Sequence, residues 1–406
     1  MKIIYIHQYF HTPSVPGSIR SHEMARRFVE WGHEVDLITA DRNAPPNGSW
    51  RRSVEAGIRV HWLPVPYSNT MSVSERIRAF FKFAYGAAQK ASSLKADVIF
   101  ATSTPLTVAL PAVWASKRQR IPMVFEIRDL WPELPIAMGA LKGRPAIAAA
   151  EWLERFAYRN AAHVVALSPG MKDGVVRTGY PAERVHVIPN SSDIALFDVP
   201  ASAGEAYRAQ NAWLGDRPLV VYVGTLGPIN GVSYLAELAA KVRAEAPEVR
   251  FAVIGGGQTE AAIRTRAQEL GVLDETFFMP GKVPKNQVPV ILSAATMASS
   301  LFIDLREMWD NSANKFFDGL AAGRPVMINY GGWQADILRE TGAGIVVDPH
   351  DLDAAKDALL KVLRDAAWLK DAGQRAHKLA KERFARDVLA KKLVGVLEQA
   401  YTERRR

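Results

Sequence analysis

The sequence predicts an α/β protein built from two doubly wound units. Two observations carry that prediction. Short apolar runs alternate with helical patterns through the first half of the chain, and after a stretch rich in small and polar residues at 200–216 the same alternation begins again. Length agrees, because 406 residues exceed what one hydrophobic core usually fills.

In the first half the strand-like runs are 3–6, 34–39, 97–101, 123–126, 163–167 and 185–188. A loop containing Pro13, Pro16 and Gly17 precedes a helical pattern over 24–31, which Gly32 stops. In the second half they are 219–223 ending in Gly224, 251–254 running into Gly255, Gly256 and Gly257, then 276–279, 298–302, 326–329 and 344–347. Continuous apolar runs between helices fit parallel strands covered on both faces. The domains are therefore set at 1–200 and 201–383, with 200–216 leading into the second and a terminal helix over about 384–403 packing back on the first. Ligands bind beyond the carboxyl ends of such strands.

Composition removes several function classes. Hydrophobic residues make up 48% of the chain, as in a globular protein, and cysteine is absent, so there is no disulfide framework and no thiolate metal site. The nine histidines show no ligand spacing, and no metal is expected. Asp351-Leu-Asp353 has the spacing of a metal-binding pair, but it follows Pro349 and reads better as a helix cap. The N-terminal apolar run is too short for a signal peptide, and no run is long enough to span a membrane. The first strand–helix turn lacks G-x-G-x-x-G, against a nicotinamide enzyme. The net charge of +9 fits either an anionic partner or ordinary solubility charge. Because the basic residues are spread and no aromatic-rich binding motif occurs, no nucleic acid partner is expected.

The most informative stretch is 311–326. Asn311 or Ser312 can cap a helix there. Its free N–H groups and dipole favour an anion. Lys315 adds a point charge suited to a diphosphate, and Asp318, one turn on, can accept bonds from ribose hydroxyls. Gly323 and Pro325 end the helix. The alternative is a surface helix with a solvated Lys and Asp. A second informative stretch is 72–90, where Ile77, Phe80, Phe81, Ala84, Tyr85 and Ala88 share a helical face. Arg76, Arg78, Lys82 and Lys90 lie elsewhere, with Phe83 among them. An aromatic within a basic face suits an anionic bilayer interface, and a core-facing helix with a solvated back is the alternative.

The segment Asn-Lys-Phe-Phe-Asp-Gly-Leu-Ala-Ala-Gly-Arg-Pro-Val at 314–326 resembles the donor-site segment of retaining glycosyltransferases of the family 4 type. Gly-His-Glu-Val at 32–35, Pro-Asn-Ser-Ser-Asp at 189–193 with Phe197, Val-Tyr-Val-Gly at 221–224, Ile-Gly-Gly-Gly at 254–257 and Gly-Lys-Val-Pro at 281–284 resemble further family segments in the same order. Glu-Ile-Arg-Asp-Leu-Trp-Pro at 126–132 and Ala-Thr-Ser-Thr-Pro at 101–105 resemble the branch that builds O-antigen, colanic-acid-type and other exopolysaccharide repeat units.

The resemblance implies the GT-B fold, two Rossmann-like domains facing across a cleft. It implies a retaining, metal-independent transferase without a cofactor. The donor would be a nucleotide diphosphate sugar, UDP-linked. The acceptor would be a saccharide on polyprenyl diphosphate, used in cell-surface and lipopolysaccharide synthesis. The protein would sit on the cytoplasmic side as a peripheral protein of the inner membrane face, through 72–90. By the same resemblance Lys282 and Val283 take the base, Asp318 the ribose, and Ser312, Ala313 and Asn314 with Lys315 the diphosphate and sugar. Read from the residues themselves, Glu307, Met308 and Trp309 are candidates to line the sugar pocket, and the backbone at Gly17, between the first strand and a helix, is placed over the transferring phosphate, with a simple strand–helix turn as the alternative.

The departures from the family pattern matter. Its two glutamates are matched by Asp310 and Asp318, with Glu307 close enough to take the first place. Its Arg and Lys after the first C-domain strand are replaced by Thr225 and Asn230, leaving the backbone at Gly224 and Thr225 to cradle phosphate. Its N-domain histidine is not evident, and Arg128 and Asp129 stand at the corresponding strand end. Arg20 and Arg128 are candidates for an acceptor diphosphate, although Arg128 and Asp129 also fit an ion pair that holds the loop. Asp129, Lys315 and Asp310 are the candidate catalytic groups. A GT-B sugar-nucleotide epimerase, sharing the donor site but lacking a lipid acceptor, is the alternative.

Overall fold

The run Lys2–Ile6 forms strand β1, with Ile3 and Tyr5 in one buried cluster and Ile4 and Ile6 in another. Burial on both faces is what a central parallel strand requires. The computed structural model describes residues 1–13, 15, 17–45, 47–68 and 71–405. Pro16 and Arg406 lie outside the described residues.

The chain divides into two units, Met1–Pro189 with the chain from Asp387 onward, and Asn190–Arg386. In the first unit β1 is joined by β2 (Glu34–Asp41), β3 (Arg51–Glu55), β4 (Ile58–Pro64), β5 (Val98–Thr102), β6 (Met123–Ile127), β7 (His163–Ala166) and β8 (Val185–Val187). Their order is β3-β4-β2-β1-β5-β6-β7-β8, and every pair is parallel except β3 with β4. Helix Arg386–Arg405 returns to this sheet, where Leu389, Leu393 and Leu397 share a cluster with Ile3, Tyr5 and Phe28.

The second unit holds β9 (Leu219–Thr225), β10 (Arg250–Gly256), β11 (Phe277–Gly281), β12 (Met297–Ser300), β13 (Val326–Ile328) and β14 (Gly344–Val346). Their order is β11-β10-β9-β12-β13-β14, all parallel. Strand order reverses between β1 and β5 in one unit and between β9 and β12 in the other. A crevice opens at the carboxyl ends of strands where neighbouring connections leave on opposite faces.

Two sequence expectations need correction, and one pair of strands was missed. Residues 201–210 are not a linker but helix Ala201–Gln210, which belongs to the second unit and packs on helix Val288–Ala294. Gly204 permits that packing, since a Cβ there would come within 2.8 Å of Ser293. The hairpin β3–β4 was not legible, because β3 is a largely exposed edge strand with charged residues at Arg51, Arg52 and Glu55. Its turn uses Ala56 and Gly57, both at positive φ (50° and 82°), without the Asn or Asp that usually marks such a turn. In helix Val73–Ser93, capped reciprocally by Ser72 and Glu75, the core face runs through Ala79, Phe83, Ala87 and Ala91. Phe83 is therefore fully buried and is not an aromatic on a basic surface. Asp351 does cap its helix, accepting from the N–H groups of Asp353 and Ala354.

In the second unit the fully buried Phe317 meets Phe316 at 5.3 Å, Phe384 at 5.0 Å and Trp333 at 6.1 Å between ring centres. Phe317→Ala should cost about 3–5 kcal/mol of stability. Urea denaturation measures it, and a loss below about 1 kcal/mol would show that the aromatic cluster does not hold helix Asn314–Ala321 in place.

Candidate functional site

The second unit gathers its polar groups at the carboxyl ends of β9 and β10. Helix Asn314–Ala321 begins there, with Ala313 at its N-cap and no side-chain cap. Neither Asn311 nor Ser312 caps it. The buried Ser312 hydroxyl instead accepts the Asn190 backbone N–H at 3.0 Å, and the Ser312 carbonyl accepts Asn190 Nδ2 at 2.6 Å. The first helical N–H groups are thus left without a side-chain acceptor, at the positive end of the helix dipole. Asn314 is exposed at this point.

Lys315 crosses the end of β9. Its stem lies against Gly224, where a Cβ would collide with Lys315 Cε, and its Nζ is 5.0 Å from the centre of the Tyr222 ring. The amine has no hydrogen-bond or ion-pair partner among the described residues. Protein encloses the stem on nearly every side while part of the side chain still meets solvent. That burial lowers the pKa to about 8, against a smaller upward pull from Asp318. The Asp318 carboxyl is pushed above its ordinary value by burial, although Ser192, Arg386, Lys285 and Lys315 all act the other way. Ser192 Oγ donates to Asp318 Oδ1.

The glycines set the floor. A Cβ on Gly255 would meet the Gly224 carbonyl, and one on Gly257 would meet that of Leu226. The exposed Lys282 lays its stem by Gly256, so Lys282, Gly224, Thr225 and Lys315 come to the same strand ends. Thr225 is exposed, and its carbonyl accepts the Tyr222 hydroxyl at 2.8 Å. Val283 and Glu307 are half-buried. Asp310 closes the turn Arg306–Asp310, 3.6 Å from Arg306. Met308 cannot line a pocket, because it is fully buried in the protein interior. Trp309 stacks under Arg306, whose guanidinium carbon is 4.8 Å from the ring centre.

In the first unit the two candidate arginines separate. Arg20 is 4% exposed and fully engaged, so it is not a free cation for an acceptor. It donates to Glu126 Oε1 from Nε (3.1 Å) and Nη2 (2.8 Å), to the Pro189 carbonyl (2.6 Å) and to the Ile188 carbonyl (3.0 Å). Burial alone would raise the Glu126 pKa, but Arg20, Arg128 and the Thr102 hydroxyl hold it below its ordinary value. Arg128 is half-buried, and among the described residues its side chain meets a Ser18 hydroxyl acceptor at 2.7 Å and makes a long 3.5 Å approach to His7. Asp129 accepts from Thr104 Oγ1 at 3.3 Å, and burial pushes its carboxyl up. No ion pair joins Arg128 to Asp129 among the described residues. Gly17 is exposed, and a Cβ there would strike the His11 ring at 2.8 Å.

Sequence reasoning missed His7 and Gln8. Both are buried just past β1, and His7 Nδ1 and both polar atoms of the Gln8 side chain lack partners among the described residues. Burial holds the His7 imidazole neutral, well below its ordinary pKa. Their signal was two polar residues directly after the apolar run of β1. Glu126, Asn190 and Ser192 were quoted only inside motifs.

Comparison with known proteins identifies both units. The family model described as a glycosyl transferase 4-like domain matches residues 17–191, and that of glycosyl transferases group 1 matches residues 204–380. The chain belongs to the GT-B glycosyltransferases that join these two domains. It is 28% identical over 270 residues to WcaI of Escherichia coli K12, a glycosyl transferase provisionally assigned to colanic acid biosynthesis, covering 62% of this chain and 65% of that protein. It is 24% identical over 251 residues to alpha-D-kanosaminyltransferase of Streptomyces kanamyceticus, covering 62% and 64%. The chain thus spans just under two thirds of these curated relatives. Among solved structures it resembles sucrose-phosphate synthase of Thermosynechococcus elongatus (TM-score 0.79, 18% identity, 99% of each chain). It also resembles Anabaena HepE in complex with UDP and glucose (TM-score 0.73, 16% identity, 98% and 100%).

The Lys315 amine fixes a sign. Its pKa falls from 10.5 to about 8 on folding, so ligand-free stability should rise as pH climbs between those values. An anion needs the charged amine. Affinity for a diphosphate monoester should therefore fall above pH 8, approaching about tenfold per unit, and Lys315→Gln should flatten that slope. Calorimetry across pH 7–9.5 (approximately) measures it, and an equal slope in both proteins would remove Lys315 from the anion site.

Proposed function

We propose that this chain transfers a sugar, with retention and without a metal, from a UDP-linked donor to a saccharide on polyprenyl diphosphate. The observation that carries the proposal is the uncapped start of helix Asn314–Ala321, with an unpaired, desolvated Lys315 against Gly224. A diphosphate supplies the negative charge that this arrangement lacks. UDP as the nucleotide is supported by the HepE complex, and the polysaccharide setting by the likeness to WcaI.

The roles proposed are these. Lys282 and Val283 lie on the loop after β11, where the base would rest. Asp318 keeps Oδ2 for ribose. The helical N–H groups, Lys315 and the backbone at Gly224 and Thr225 take the diphosphate. Asp310 and Glu307, on the turn before the helix, face the donor sugar. As the bond between the anomeric carbon and the β-phosphate oxygen breaks, its electron pair goes to the phosphate. The charge gained there is met by dipoles and an amine already in place. The acceptor hydroxyl oxygen bonds to the anomeric carbon, and its proton passes to the departing phosphate. In the first unit Arg128 has donors left for an acceptor diphosphate, and Asp129, whose carboxyl burial pushes above its ordinary value, is the candidate acid–base group there.

A lipid-borne acceptor needs a membrane surface, and no helix among the described residues is long and apolar enough to cross one. Helix Val73–Ser93 instead exposes Phe81 (56%) and Tyr85 (70%), and neighbouring helix Ala109–Gln119 exposes Trp114 (60%). Between them lies an apolar groove of about 1000 Å³ that also meets Lys117 and Arg118. Protruding aromatics beside cations fit an anionic bilayer interface. That fit supports peripheral placement, and the inner membrane face is part of the proposal. The epimerase alternative is not favoured, since both matched family models describe transferases.

Lys315→Ala should lower turnover about 100- to 1000-fold, the scale for losing one preorganised charge partner. UDP release from a panel of UDP-sugars with a lipid-linked acceptor measures it, and unchanged turnover would end the assignment. Phe81→Asp with Trp114→Asp should abolish co-sedimentation with phosphatidylglycerol vesicles while leaving UDP binding intact. Undiminished sedimentation would reject the membrane surface.

A further inference from the structure

A second cavity in the second unit lies at the other end of its sheet. It measures about 920 Å³ and is lined by Thr296, which precedes β12, and by Gly323, Arg324 and Pro325, which precede β13. Thr296 Oγ1 accepts the N–H of Leu219, the first residue of β9, so this is the amino-terminal edge of the strands. Lys315 and Gly224 sit at the carboxyl ends.

The lining is cationic. Arg208 comes from helix Ala201–Gln210, and Lys370, Lys378 and Lys381 come from helix Ala366–Arg383. Glu382 is the one carboxylate in the lining among the described residues, and it lies 3.9 Å from Lys378. Neither Arg208 nor Arg324 is in a salt bridge among the described residues. Arg208 spends Nη1 on the carbonyls of Gly215 and Arg217, at 2.8 and 2.9 Å. Arg324 spends Nη2 on the carbonyl of Ser293 at 2.5 Å, and its buried Nε has no acceptor among the described residues. Burial and the neighbouring Arg208 both pull the Arg324 pKa down, so each guanidinium raises the cost of the other.

Two half-buried guanidiniums, three exposed lysines and one buried N–H without an acceptor among the described residues concentrate positive charge that an anion would offset. No phenyl or indole ring lines the cavity, which gives a nucleobase nothing to stack on. We propose that this cavity binds a small polyphosphorylated anion, separately from the donor site and independently of the transfer reaction. Arg208 and Arg324 meet it through planar donors suited to phosphate oxygens, and Lys370 and Lys381 close over it as point charges.

The test uses sodium tripolyphosphate and the full chain, at matched ionic strength and with UDP saturating the donor site. Calorimetry should show one binding event. Lys370→Glu with Lys381→Glu, both on the exposed rim, should weaken it about tenfold or more. Arg324→Gln should weaken it further, and Lys315→Gln should leave it unchanged. Binding that survives the rim reversal, or that Lys315→Gln abolishes, overturns the site. Displacement by a single-stranded oligonucleotide at equal phosphate concentration overturns its assignment to a small anion.

Discussion

The packing of the Lys315 stem against the bare Cα of Gly224 is the contact on which the second unit's chemistry depends. It draws an amine across a strand end, strips away much of its water and supplies no carboxylate in exchange. Asp318, one turn on, is itself pushed toward neutrality by burial and held by the Ser192 hydroxyl. The site therefore keeps positive charge without an internal counter-ion. Such charge is costly in the empty protein and is favourable once a ligand with opposite charge arrives. The uncapped helix start adds to the same field, because Ser312 has given its hydroxyl to Asn190.

The first unit treats charge the other way. Arg20 and Glu126 form a buried pair in which two backbone carbonyls and the Thr102 hydroxyl take up further hydrogen-bonding capacity. A pair satisfied to that degree fixes the loop before helix Arg20–Glu30 and has nothing left for a ligand. Arg128, only two residues past Glu126, keeps most of its donors unused among the described residues. His7 and Gln8 add buried polar atoms with no partner among the described residues, beside β1 and next to the reversal in strand order. Both units thus place unmet polarity at the ends of their central strands.

The two-unit α/β architecture was readable because parallel strands covered on both faces leave continuous apolar runs, as at 97–101 and 219–223. The terminal helix was readable from apolar residues at helical spacing. The hairpin Arg51–Glu55/Ile58–Pro64 was not, since an exposed edge strand has no such run to leave. Residues 201–210 misled for a related reason. Their small side chains suit both a linker and a helix pressed against Ser293, and only the neighbour distinguishes these.

The site divides along the same line. Sequence alone determined which residue types stand together on the 314–326 helix, because Lys315 and Asp318 are set by spacing along one element. Tertiary structure decided what each group is free to do. It committed Arg20 to Glu126, gave the Ser312 hydroxyl to Asn190, buried Met308 and Phe83, and left Lys315 without a hydrogen-bond or ion-pair partner among the described residues. Spacing along a helix is local, whereas hydrogen-bond partners and desolvation come from chain segments more than a hundred residues away, as Asn190 and Ser312 are.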